Sequence, residues 1–166
     1  ADSLNKVMKV AKESLGTADA SGEKKLDSSS LSILSSTLQN ADKADSLAAV
    51  VEVAAEVGAQ DATNLTSVFQ NADKADSLAE VVEVAGEIGA QNAENLTSVF
   101  QNADKADDLK EVVAVAAEIG AKDAANLGSV LQNADKADSL NKVMKVAKES
   151  LGTANAEGEK KLDSSS

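Results

Sequence analysis

Apolar residues recur along this chain at helical spacing, in blocks that return every 31 residues. In one block Leu78, Val81, Val82, Ala85 and Ile88 fall at i, i+3, i+4, i+7 and i+10, which is one face of an α-helix. The stripe predicts a first helix from about Asp76 to Ile88, with Asp76 as its N-cap and Gly89 as the left-handed residue that stops it. Gly58 and Gly120 hold the same place in the sister blocks. A second stripe, Ala93, Leu96, Phe100 and Ala103, predicts a second helix from about Ala93 to Ala103. Asn92 is its expected cap, and Asp61 and Asp123 are the sister caps.

Between these pairs stands QNADKAD, at Gln39–Asp45, Gln70–Asp76, Gln101–Asp107 and Gln132–Asp138. It reads as a short polar turn. The chain therefore divides into a long unit at 1–43, three short units at 44–74, 75–105 and 106–136, and a second long unit at 137–166. Residues 1–30 return as residues 137–166 with two changes, Asp19 to Asn155 and Ser21 to Glu157. A 31-residue period, one 43-residue variant and a 136-residue super-repeat are nested in one chain. The expected fold is all-α: a right-handed α-solenoid of two-helix repeats, with layers about 10 Å apart. Because the sequence starts and stops inside a repeat, it reads as a piece excised from a longer array.

The long unit carries 12 extra residues within Gly16–Ser30. Ala18 lies three residues after Leu15, and Leu26 lies eight before Leu34. Both helices are therefore expected to lengthen into a projecting hairpin with its turn near Ala20–Gly22; the alternative is a Ser/Gly loop.

Composition narrows the function. The core is built of Ala, Val and Leu, with two Phe and neither Tyr nor Trp. Pro, Cys, His and Arg are absent. Thiolate and imidazole metal sites are excluded, and Ser has no base to activate it. A net charge of −12 argues against nucleic acid, whose phosphates need Lys or Arg patches. No apolar run approaches the roughly 18 residues of a membrane span. The charge is banded: residues 1–30 and 137–166 each balance five Lys with five acids, and the whole excess falls on 31–136. Lys6, Lys9 and Lys12 lie opposite their helix's apolar stripe and face water.

Three patterns invite sharper readings. Asn71, Asp73 and Asp76 resemble calcium ligands, but counting from Asn71 the fifth and sixth positions are Ala75 and Asp76, so the loop fails the EF-hand pattern. Asn64-Leu65-Thr66 and Asn95-Leu96-Thr97 match the glycosylation sequon, yet their leucines are core positions and Asn126-Leu127-Gly128 breaks the pattern. Glu52/Glu56 and Glu83/Glu87 share helix faces at i, i+4, with nothing apolar around them to raise a pKa. No catalytic, cofactor-binding or metal residue is assigned.

Two-helix units of this length resemble the tetratricopeptide, HEAT and ankyrin class in architecture. The aromatic and Pro signature of the first and the TPLHxA of the last are missing. More loosely, near-identical acidic repeats resemble those of very large bacterial surface or filament proteins. The functional expectation is a non-catalytic spacer, stalk or filament segment of a large secreted or cell-surface protein. The alternative is a solenoid scaffold that binds a protein or peptide. Expected partners are neighbouring repeats and a second copy, associating head to tail. Leu140, Val143, Met144, Ala147 and Leu151 are expected to lack cover at one end, and Leu4, Val7 and Met8 at the other.

Overall fold

In a computed structural model of the chain, residues 2–18, 20–26, 28–118, 120, 122–151, 153–154 and 160–161 are described. Among them are nine α-helices: α1 (Asp2–Leu15), α2 (Ser28–Gln39), α3 (Ala44–Val57), α4 (Ala62–Gln70), α5 (Ala75–Glu87), α6 (Ala93–Gln101), α7 (Ala106–Glu118), α8 (Ala124–Gln132) and α9 (Ala137–Leu151). The protein is all-α in its core. The odd-numbered helices pack in one row, each on the next, from α1 to α9. The even-numbered helices pack in a second row, from α2 to α8. Contacts of α1 with α4, α3 with α6 and α5 with α8 tie the rows together.

The predicted stripes line the seam between the rows. Leu78, Val81, Val82 and Ala85 are buried on α5, and Leu96 and Phe100 on α6. Phe69 and Phe100 are the largest fully buried side chains. Each contributes about 1.5–3 kcal/mol by leaving water. Two details of the second stripe differ from expectation. Ala93 is exposed, whereas Asn95 and Val99 are buried.

The helix ends follow from local chemistry. Asn92 Oδ1 accepts from the Asn95 amide at 2.9 Å, and Asp61 and Asp123 cap α4 and α8 in the same way. Gly58, Gly89 and Gly120 are left-handed, with φ of 77°, 75° and 76°. The chain reverses there through paired bonds: Ala90 N–H donates to Ala85 O at 2.8 Å, and Gly89 N–H to Gly86 O at 3.3 Å.

The QNADKAD stretch departs from expectation. Asp76 is not the cap of α5. That position is Lys74, which makes no side-chain cap bond, and Asp76 lies inside the first turn. The stretch is one turn of 3-10 helix, at Ala41–Lys43, Ala72–Lys74, Ala103–Lys105 and Ala134–Lys136. Its leading Asn bonds back to the helix it leaves: Asn40, Asn71, Asn102 and Asn133 donate from Nδ2 to the carbonyl four residues earlier, each at 2.9 Å. Its alanines are core. Ala72, Ala75, Ala103 and Ala106 are fully buried. The i, i+3 stripe of the first helix thus runs back through the turn, and Ala72, Ala75 and Leu78 form one anchor.

The insertion in the long unit is neither of the two expected forms. Thr17–Ala18 (β1) pairs antiparallel with Lys24–Lys25 (β2), Thr17 opposite Lys25. Thr153–Ala154 (β3) and Lys160–Lys161 (β4) repeat the ribbon with the same register. Helix α1 is not lengthened, and α2 gains only Ser28–Ser30. The glycines account for this. Gly costs about 1 kcal/mol in a helix interior. Gly22 is left-handed at φ 84°, and a Cβ on Gly16 would collide with the Lys12 carbonyl oxygen. The chain therefore turns out of α1 at Gly16. Lys24 Nζ, donating to Glu13 O at 2.7 Å, ties the ribbon back to α1.

Candidate functional site: the seam between units

The polar chemistry of this protein gathers where one sequence unit meets the next, in two parallel lines. The first joins the odd-numbered helices. Ser46 Oγ on α3 donates to Asp76 Oδ1 on α5 at 2.6 Å, and Ser77 on α5 donates to Asp107 on α7 at 2.6 Å. Ser3 on α1 donates to Asp45 on α3 in the same way. A lysine from the preceding 3-10 turn joins each aspartate: Lys43–Asp76 at 3.5 Å, Lys74–Asp107 at 3.3 Å and Lys105–Asp138 at 3.5 Å. These bonds hold the carboxyls of Asp76 and Asp107 below the ordinary aspartate value, the serine hydroxyl first and the lysine after it. Asp138 is lowered by the Ser139 backbone amide and by Lys105. In α7, Glu111 is lowered by Asn141 Nδ2 and by Lys145.

The second line joins the even-numbered helices. Asn64 is fully buried and Asn95 is 3% exposed. Asn64 Nδ2 donates to Ala59 O at 2.9 Å, and its Oδ1 accepts from Gln101 Nε2 at 3.1 Å. One unit on, Asn95 donates to Ala90 O at 2.7 Å and accepts from Gln132 Nε2 at 2.9 Å. Each asparagine fastens the loop before its own helix and the helix of the next unit. Asn126, the third in the series, is exposed and bonds to its own cap, Asp123. The sequon asparagines are therefore internal fasteners. Their signal in the sequence is a polar residue beside Leu65 or Leu96 on an otherwise apolar face, answered by a glutamine 37 residues later.

The lysines of the long units also find partners. Lys6 pairs with Glu52 at 3.5 Å, Lys145 with Glu111 at 3.0 Å and Lys148 with Glu118 at 3.4 Å. Glu87 of the Glu83/Glu87 pair meets Lys122 at 2.7 Å. Each near-neutral long unit thus presents cations to the acidic short unit beside it. Such exposed pairs contribute about 0–1 kcal/mol each.

Among the described residues, the carboxyls whose acidity is shifted move downward and stay ionised at neutral pH, whereas a carboxylic acid that donates a proton needs its pKa raised. Two of the three calcium-like residues serve other bonds, Asn71 to Ser67 O and Asp76 to Ser46, while Asp73 faces solvent. Among the described residues no group of three or more Asp and Glu side chains is arranged to hold a metal, and no helix is long and apolar enough to cross a membrane.

The ends of the two rows carry exposed apolar surface. Val143 and Val146 on α9 are 60% and 62% exposed, and Leu31 and Leu38 on α2 are 54% and 47% exposed. Leu140, Met144 and Ala147 are half-buried, and the side chain of Leu151 lies outside the described residues. At the opposite end Val7 does not lack cover. It is fully buried by its own chain, while Leu4 and Met8 are half-buried. A groove of about 390 Å³ lined by Val130, Lys136, Ser139, Leu140 and Val143 opens between α8 and α9.

Comparison with known protein families, curated protein sequences and solved structures finds no match to this chain.

Proposed function

We propose that this chain is a non-catalytic structural segment, a spacer or stalk built as a right-handed α-solenoid with a 31-residue layer and a 136-residue super-repeat. The parent is a large secreted or cell-surface protein. The observation that carries the reading is the recurrence of one joint: Ser46–Asp76 and Ser77–Asp107 are the same bond at 2.6 Å, 31 residues apart in the chain. A joint that repeats without change adds length in equal steps, and length is what a spacer supplies. Neighbouring units are the partners that such joints serve, and the exposed ends extend the same logic to a second copy.

The test is to delete residues 75–105 as one unit, and separately to duplicate them. Each variant is expected to fold with the helical signal per residue of the parent. The maximum dimension in small-angle scattering should fall or rise by about 10 Å, one layer of packed helices. A deletion variant that unfolds, or a particle whose dimension does not follow unit number, overturns the reading.

A further inference from the structure

Position by position, the two rows show what is missing at their ends. Val7, Val50, Val81 and Val112 occupy one place on α1, α3, α5 and α7, and none is more than 1% exposed. Val143 occupies that place on α9 and is 60% exposed. In the even-numbered row, Val68 and Val99 are fully buried, whereas Val130 on α8 is half-buried. Facing the other way, Phe69 and Phe100 are fully buried, whereas Leu38 on α2 is 47% exposed. Helix α1, which carries Val7, packs on α3 and α4, and α6, which carries Val99, packs on α8. Another α3 and another α2 would give α9 and α8 the same cover.

A second copy can supply both only if its own α1 stands aside, because α1 already lies on α3. The sequence permits that exchange. Residues 138–154 of α9 and β3 repeat residues 2–18 of α1 and β1 without a change. Every contact that α1 makes with α3 and α4 is available to α9 of another chain.

We infer that this chain forms open head-to-tail assemblies by helix exchange, in which α9 of one molecule takes the place of α1 on α3 of the next. The inference rests on the repeat-array reading above and deepens it. Serine, lysine, asparagine and glutamine match across the joint. Ser139 stands where Ser3 stands and donates to Asp45 of the second copy. Lys136 pairs in this chain with Asp135 at 3.2 Å. It stands where Lys43, Lys74 and Lys105 stand, and so reaches the same Asp45. Asn126 is exposed where Asn64 and Asn95 are buried, and takes the amide of Gln39 from the second copy, as Asn95 takes that of Gln132. The exchange alone is near neutral, since equal contacts break and form. The balance is tipped by the new contact between α8 and the second copy's α2, which buries Leu38 against Val130. An end-to-end contact without exchange leaves α1 in place and never brings α9 to α3. Because α1 must first leave, exchange proceeds through local opening and is slow compared with simple docking.

The chain has no cysteine, so a pair can be placed cleanly. Asp45→Cys and Ser139→Cys lie on α3 and α9 of one molecule, with α5 and α7 between them. A short bismaleimide should join them only between molecules. We expect crosslinked ladders at millimolar chain, absent at micromolar, appearing over hours. A second variant, Ser3→Cys with Asp45→Cys, is locked by the same reagent at low concentration, so that α1 cannot leave. It should remain monomeric in sedimentation at millimolar chain. Leu38→Lys, on α2 and so outside both exchanged helices, should abolish the ladder with an unchanged helical spectrum. Oligomers that persist in the locked protein and give no 45–139 crosslink overturn exchange in favour of simple docking. A monomer at every concentration overturns it as well. Neither outcome touches the array reading, which stands or falls on how particle dimension follows unit number.

Discussion

Ser46 Oγ on α3 donates to Asp76 Oδ1 on α5 at 2.6 Å, and this bond both joins the two helices and is the first cause that lowers the pKa of the carboxyl. The aspartate was expected to cap its own helix and instead fastens the unit before it. Its pKa is lowered in the folded chain, chiefly by the Ser46 hydroxyl, so the stabilisation is fully present above the ordinary aspartate value of 3.8. It is lost as pH falls below that value and through the lower folded one. Asp107 behaves alike through Ser77. The chain is therefore expected to lose stability on acidification below about pH 4. The double variant Ser46→Ala, Ser77→Ala should be less stable at pH 7, by roughly 1 kcal/mol after allowance for exposure, with a shallower acid limb. Urea midpoints from pH 2 to 7 measure this, and parallel limbs for the two proteins would remove the joint from the account.

The asparagine series predicts unequal outcomes at equal sequence positions. Asn95→Ala removes two bonds: the Gln132 amide loses its acceptor, while Ala90 O keeps the Asn92 N–H at 3.1 Å. It should cost about 1–2 kcal/mol. Asn126→Ala removes only a surface contact and should cost less than about 0.5 kcal/mol. Equal losses in urea unfolding would contradict the burial difference. For the same reason the folded chain should refuse glycosylation at Asn64 and Asn95 when offered to an oligosaccharyltransferase.

The sequence disclosed the helices better than the joints, and the reason is physical. Apolar periodicity reports which residues leave water, so the stripe of α5, Leu96 and Phe100 of α6, and the Gly89 stop could be read directly. The partners of a polar residue are set by what lies across the seam, which periodicity does not encode. Asp76 offered a plausible cap within its own segment, and only packing assigns it to Ser46 instead. The alanines of NADKAD were hidden by the polar residues around them, though Ala72, Ala75 and Leu78 keep the i, i+3 step.

Gly86 lies in the last turn of α5, where the sister units have Ala55 and Ala117. The Gln91 amide occupies the vacant space: its Nε2 lies 3.0 Å from where a Cβ would stand, and it donates to Val82 O at 3.1 Å. Gly86→Ala should gain part of the helix-interior propensity difference of about 1 kcal/mol, because the site is in the last turn, when Gln91→Ala is also present. In the parent the gain should be smaller, because the amide must move and its bond weaken. A double-mutant cycle reads the coupling, and additive effects would show that the amide does not occupy the site.

Gly16 should be the least replaceable glycine in the long unit. A Cβ there meets the Lys12 carbonyl oxygen, and the Lys25 carbonyl oxygen lies 3.2 Å away. Both are backbone atoms that cannot rotate aside, so Gly16→Ala must displace either the end of α1 or the ribbon. The expected cost is about 2–3 kcal/mol, the size of an overpacked core. Gly22 differs in kind: its surroundings are open within 4 Å, and only its φ of 84° opposes a side chain. Gly22→Ala should therefore cost about 1–2 kcal/mol. Gly22→Asn should recover part of that, because asparagine tolerates the left-handed region. Unfolding of the three variants in urea separates collision from conformational strain. A Gly16→Ala protein as stable as the parent would mean that β1 and β2 do not leave α1 through that contact.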